Sequence, residues 1–278
     1  MPVHDQGYRR YAGWRGSGGA WRVIAATAVA AELRRRRVVA LLLVAWLPFL
    51  VFAVRLYVGA NFTQAAFLAA TPATFRDFLG WQSIFVFFVT ILVGAGLIAD
   101  DRRANALQIY LSKPLTRLEY VVGKLLALAA FLAFVTVLPG LLLLFLQMMF
   151  AGSTQFVREH LFLVPAILVS GVAQVLVASI VVLALSALST SRRFVAVLYA
   201  GLIFFSQGLQ RALVESTGSP LWALLSPSDT LEVVADAAFR IPAVAPVPVA
   251  AALAVLGGLV GASILVLERR IRGVEVVA

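Results

Sequence analysis

Arg34-Arg-Arg-Arg-Val-Val-Ala-Leu-Leu-Leu-Val-Ala-Trp-Leu-Pro-Phe-Leu-Val-Phe-Ala-Val54 sets four cations against an uncharged apolar run. At about 1.5 Å of rise per residue, a helix over 38–54 is long enough to cross a hydrocarbon layer of about 30 Å. Five further runs of this kind follow, at 81–99, 120–149, 161–190, 194–210 and 244–267. None has a charge in its central part, where one would cost at least about 2.5 kcal/mol. The runs at 120–149 and 161–190 are long enough to tilt or to project beyond the lipid. Pro48, Pro139 and Pro165 lie inside or near span ends, where neighbouring helices are expected to satisfy the freed carbonyls. Composition agrees: 62% of the 278 residues are hydrophobic and 13% charged. A soluble domain is nearer half and a quarter, and a disordered chain is polar and charge-rich, so both classes are excluded. The absence of cysteine rules out disulfides, Cys-based metal sites and thiol chemistry.

The cations then orient the spans. Eighteen basic residues fall on the side of the two termini: Arg9, Arg10, Arg15, Arg22, the Arg34–Arg37 run, five between spans two and three, two after span four and three after span six. Only Arg55, Arg76, Arg158, Arg211 and Arg240 fall on the other. The positive-inside rule puts both termini in the cytoplasm. The net charge of +10 is thus read as a topology signal and a contact for anionic membrane lipids, not as a nucleic-acid surface, which would need interleaved aromatic or polar readers. Residues 1–20 read as a mobile cytoplasmic tail. Residues 21–37 read as a helix at the membrane surface, with Trp21 as interfacial anchor, leading into the basic entry. The arginine run plus apolar run resembles a signal peptide, but it sits behind more than 30 residues and is long enough to span, so an uncleaved first helix is expected. The expected fold is an all-α membrane protein: six transmembrane helices over 38–278, both termini cytoplasmic, with short interfacial helices.

The most patterned stretch outside the spans runs from Asp100 to Lys124. Leu107, Tyr110 and Leu111 fall at i, i+3, i+4, which predicts a short amphipathic helix over about 105–112. Asp100 and Asp101 stand near its start, favourable to a helix dipole. Pro114 ends it, because the residue before proline avoids the helical region. Thr116 and Glu119 then form an S/T-x-x-E capping box, with Leu115 positioned to staple onto Tyr120. Such a helix suits force transfer from a soluble partner, or simply covers lipid headgroups; Lys124 either joins that contact or snorkels to the headgroups.

The residues Ile98-Ala-Asp-Asp-Arg-Arg103 and Leu107-Gln-Ile-Tyr-Leu-Ser-Lys-Pro-Leu-Thr-Arg-Leu-Glu-Tyr-Val-Val-Gly-Lys-Leu-Leu126 resemble the segment between the second and third helices of ABC-2-type transporter permeases. In that family an acidic-basic cluster, a coupling helix, a Pro-containing corner and a Gly-Lys entry to the third helix follow in this order. Ala104-Asn105 departs from the Gly-Thr-like pair of many members, and Ser226-Pro227-Ser228-Asp229 is similar to a Pro-containing segment before the last span. The resemblance implies an ABC-2 or type V exporter-like fold, and a permease subunit that dimerises with a second copy or a homologue. Cytoplasmic ATP-binding cassette ATPase subunits would drive it and carry the ATP and Mg, with no cofactor bound by this chain. By position it implies that Leu107, Tyr110, Leu111, Lys113, Pro114 and Arg117 meet the ATPase, with Asp100, Asp101, Arg102 and Arg103 at the edge. It also places the second and fifth spans along the translocation path, which draws attention to Gly94, Gly96 and Gln207, with Gln174 in span four.

Other chemistry is scarce. No G-x-x-x-x-G-K-[ST] phosphate loop occurs, so hydrolysis of ATP by that route falls to a separate subunit and the chain itself is read as no enzyme. His4 and His160 are the only histidines, and no metal-ligand cluster is seen. The spans lack carboxylates for a proton relay. Gln147, Gln174 and Gln207 suit interhelical hydrogen bonds or substrate contact, and Gly257-x-x-x-Gly261 permits close helix approach. At about 227–239 a short interfacial or re-entrant helix is expected, capped by Ser226, with Pro227 at its first position and Asp229 in its first turn. Its apolar face of Leu231, Val234 and Ala238 would stand opposite Glu232 and Asp236, as an outer gate or a structural cap. Rival functions are a non-transporting assembly scaffold and a membrane-embedded enzyme.

Overall fold

The computed structural model describes residues 19–106, 116–152, 155–243 and 245–271, which are helical with no strand among them. Six helical segments are long and apolar enough to cross a membrane: Arg36–Asn61, Pro72–Arg103, Arg117–Ala151, Leu163–Leu188, Arg192–Thr217 and Val249–Arg270. These are the six expected runs with their ends moved by several residues. The largest shift is in span two, whose helix starts at Pro72 behind a Thr71–Thr74 capping box and so takes in Arg76.

Helix α1 (Ala20–Leu33) precedes the first span, which is α2 (Arg36–Val44) and α3 (Leu47–Asn61). Span two is α4 (Pro72–Val93), a 3-10 turn at Gly94–Gly96, and α5 (Ala99–Arg103). Span three is α6 (Arg117–Val135) and α7 (Val137–Ala151), followed by the short α8 (Gln155–Glu159). Spans four and five are α9 (Leu163–Leu188) and α10 (Arg192–Thr217). A 3-10 turn at Pro220–Leu225 leads to α11 (Pro227–Ala238), and α12 (Val249–Arg270) is span six.

Three spans are broken, and each break has a cause in the sequence. Pro48 is the second residue of α3 and cannot donate to the turn before it. The Ala45 carbonyl at this break accepts from Gln82 Nε2 of span two at 3.1 Å, so a fully buried glutamine repairs the ladder. In span three, Pro139 follows the break at Thr136, whose hydroxyl donates to the Leu132 carbonyl at 2.7 Å. The break in span two has no proline; it falls at Gly94-Ala95-Gly96, where close neighbours replace side chains.

Burial separates a centre from a periphery. Spans two and four each bury 61% of their most apolar stretch, whereas span five buries 11% and span six 17%. The apolar flanks of α10 and α12 therefore need lipid or another chain against them. Among the described residues Gly257 and Gly261 meet nothing within 4 Å of an added Cβ, so the small-residue pattern of α12 is not used for packing against them.

Helix α1 packs along the start of α6. A Cβ on Gly123 would stand 2.8 Å from Ile24 Cβ and 3.0 Å from the Trp21 carbonyl, both parts of the α1 framework rather than flexible side-chain tips. Glycine in the Gly123-Lys124 pair is thus explained by the approach of α1. Gly123→Ala should lower stability by about 1–3 kcal/mol through overpacking. Gly208→Ala, at an open helical position of α10, should leave it unchanged or raise it slightly. Unfolding midpoints of the detergent-solubilised variants check this.

Candidate functional site

The acidic-basic cluster of α5 is pinned from four directions. Where α4 stops, the amides of Ile98 and Ala99 have lost their helical partners, and Ser186 Oγ of span four accepts from both, at 3.2 and 2.9 Å. The same hydroxyl donates to the Ala95 carbonyl at 2.9 Å. Asp101 takes the Lys124 ammonium at 2.7 Å and the Tyr120 hydroxyl at 2.7 Å, both from span three. Asp100 lies 4.0 Å from Arg35 at the start of span one and 4.0 Å from Arg192 at the start of span five. The Arg102 guanidinium donates to the Ala187 carbonyl at the end of span four. Charged and polar groups from five spans therefore meet at one end of the bundle, the end nearest the termini.

Lys124 does not snorkel. It is 7% exposed, and its ammonium is held by Asp101. A buried ammonium unpaired would carry a desolvation cost of several kcal/mol, so the carboxylate facing it is a condition of the fold there. Glu32 of α1 joins the edge of the cluster through Arg35 at 2.9 Å. Burial lifts its carboxyl above the ordinary carboxylate range, with Arg35 and Arg192 pulling the other way. Arg103 is exposed and leaves the cluster.

The loop that follows is held at both ends. Asn105 has a left-handed backbone, φ +52°, which asparagine tolerates better than most residues. It closes the turn after α5, and helical backbone resumes at Ala106, next to the expected start of the amphipathic helix at about 105. Leu107, Tyr110, Leu111, Lys113 and Pro114 lie outside the described residues, as does the Leu115 staple. At the far end the capping box forms as expected: Glu119 N donates to Thr116 Oγ at 3.2 Å, and Thr116 N donates to Glu119 Oε2 at 3.0 Å. Arg117 is exposed at the first position of α6.

Away from this end, spans two, four and five and helix α11 surround a cavity of about 380 Å³. Gln174 and Gln207 both line it. Neither has a hydrogen-bond partner among the described residues, so the interhelical bonding considered for them is not made there. Gly94 and Gly96 do not line this cavity. A Cβ on Gly94 would meet Val182 and Leu128 at 2.7 and 2.8 Å, and one on Gly96 the Asp100 carboxylate at 2.7 Å. They serve close packing of spans two, three and four and the folding back of Asp100.

Helix α11 roofs the cavity. It begins as expected, with the Ser226 hydroxyl accepting from Asp229 N at 3.3 Å and Pro227 at its first position. Burial lifts the Asp229 carboxyl above its ordinary range, against the Ser226 hydrogen bond and the Arg211 charge. The expected polar pair, Glu232 and Asp236, faces span two. Asp236 is 1% exposed and accepts from Arg76 Nε at 2.6 Å, while Glu232 takes the same guanidinium at 3.0 Å. An arginine from the first turns of span two thus clamps the roof helix by two carboxylates one helical turn apart.

Arg76, Asp236, Ser186 and the Asp101–Lys124 pairing escaped the sequence reading as partners. Arg76 and Asp236 are 160 positions apart, and Ser186 is 88 from Ile98. No local periodicity links them. A charged residue close to an apolar run was the only available signal.

Six spans, internally broken helices and a polar end fed by five of them define a polytopic membrane protein built to join a loop between spans to its core. The chain belongs to the ABC-2 transporter family: the model described as ABC-2 family transporter protein matches residues 23–270. It is a membrane permease component of an ATP-binding cassette transporter, in a family of typically non-enzymatic transmembrane subunits associated with an ATP-binding cassette partner. No curated protein matches the chain significantly.

The Arg76 clamp is unequal in its two halves. Arg76→Met strips a fully buried carboxylate of its guanidinium and should cost about 3–5 kcal/mol. Asp236→Asn leaves Arg76 with Glu232 and should cost less. Unfolding midpoints of the two variants give the order.

Proposed function

We propose that this chain is the permease subunit of an exporter in a bacterial cytoplasmic membrane, dimeric and driven by separate ATPase subunits that hold the ATP and Mg. Both termini and the 104–116 loop face the cytoplasm, as the asymmetry of eighteen basic residues against five favours. The loop carries the ATPase contact on Leu107, Tyr110, Leu111, Lys113, Pro114 and Arg117. The observation that carries this reading is the anchoring of the loop at both ends. One end is held by ion pairs and hydrogen bonds to spans one, three, four and five, the other by a capping box. A push on a segment so held moves several spans together instead of being lost in a slack connection. The exposed apolar flanks of spans five and six favour a second copy as the dimer partner over part of that surface.

Isolation of the tagged protein from its native membrane, followed by mass spectrometry and an ATPase assay, tests the proposal. Wild type should recover a nucleotide-binding subunit. Tyr110→Glu with Leu111→Glu should reduce that recovery at least about tenfold, since two charges enter an apolar contact. Recovery of no ATPase under conditions that preserve a known transporter would overturn the permease assignment. Equal recovery with both forms would move the contact off these residues.

A further inference from the structure

The cavity under α11 has a chemistry that selects among ligands. Its wall is aromatic: the Phe87 ring lies 5.1 Å from Phe204, 5.4 Å from Phe88 and 5.9 Å from Tyr199, centroid to centroid. Aromatic faces attract cations as well as apolar groups. The charges at its rim do not cancel. Arg76 and Glu232 line the cavity, Asp236 stands behind Arg76, and the adjoining pocket adds Arg55 and Asp77, so three carboxylates stand against two guanidiniums. Glu232 is the accessible member, its side chain 49% exposed, whereas Asp236 is sealed away.

Two further observations point to a ligand rather than to empty packing. Ser170, 7% exposed, lines the cavity, and its Oγ has no hydrogen-bond partner among the described residues. A buried hydroxyl without a partner costs about 1–3 kcal/mol unless something in the cavity supplies one. Phe88 and Phe204 line the cavity and are 50% and 60% exposed, so the cavity reaches the apolar surface of spans two and five. A ligand partitioned into hydrocarbon can therefore reach the aromatic wall without passing through water.

We propose that this cavity binds a monovalent cationic amphiphile: a compact organic cation with a bulky apolar body. The apolar body lies against Phe87, Phe88 and Phe204, and the positive charge lies toward the Glu232 rim. Its polar substituents, where it has them, meet Ser170, Gln174 and Gln207. An anionic amphiphile of the same shape is rejected by the excess carboxylate. The biological meaning, selection of cargo, rests on the permease reading; the binding itself does not.

The test uses the full chain purified into nanodiscs without any ATPase. Binding of tetraphenylphosphonium and of its near-isosteric anion tetraphenylborate is measured separately, each against empty nanodiscs. Saturable binding of the cation above the lipid background is expected, with the anion bound at least about tenfold more weakly. Glu232→Gln, which leaves Arg76 on Asp236, should weaken the cation about tenfold, and Phe204→Ala, at an exposed position, should weaken it as well. Unfolding midpoints near wild type verify that both variants are folded. No saturable cation binding, equal affinity for the two ions, or variants that bind as wild type would overturn the proposal. A chain that still recovers its ATPase but binds no cation refutes this site alone; one that binds the cation but recovers no ATPase refutes the permease reading alone.

Discussion

A lysine buried at the start of span three cannot remain without an anion, and Asp101 is the anion that reaches it. The 2.7 Å pair, with the Tyr120 hydroxyl on the same carboxylate, fixes where span two must end relative to span three. Once Asp101 is so placed, Asp100 falls between Arg35 and Arg192, Arg102 reaches the end of span four, and the broken end of α4 presents its amides to Ser186. Each contact is modest in isolation, since hydrogen bonds contribute about 1 kcal/mol net and half-exposed ion pairs less. Their joint consequence is geometric: five spans share one polar junction.

Span two joins the two polar regions of the molecule. Its end near the termini is the α5 cluster, and its opposite end holds Arg76 on α11. Between them lie the 3-10 turn at Gly94–Gly96, set close against spans three and four, and the cavity shared with spans four and five. A helix broken at one point and tied by charges at both ends is suited to transmit displacement from the loop to the roof of the cavity.

Features set by local chemistry were legible in the sequence. The six spans follow from apolar length, the Thr116–Glu119 box from a three-residue spacing, and the start of α11 from Ser226-Pro227. Features set by meetings of distant residues were not. The sequence set Glu232 and Asp236 on one face of their helix but gave them no partner, and that partner, Arg76, lies 160 residues before Asp236. The sequence did not show what stands beside Gly94 and Gly96; Val182, Leu128 and Asp100 occupy that space. Gln174 and Gln207 were found because polar residues in apolar spans are few, and the cavity brings both to one surface. Asn105 marks the limit of periodicity: its neighbours follow a helical pattern while its own backbone is left-handed.

The proposed anchoring of the loop rests most on the Asp101–Lys124 pair, and charge exchange tests it most directly. Asp101→Lys, Lys124→Asp and the double exchange are each reconstituted with the ATPase, and the effect of the permease on ATP hydrolysis is measured. Both single variants should lose that effect, because each places two like charges together in a buried site. The double exchange should restore a substantial part of it. Full regulation of the ATPase by either single variant would contradict the claim.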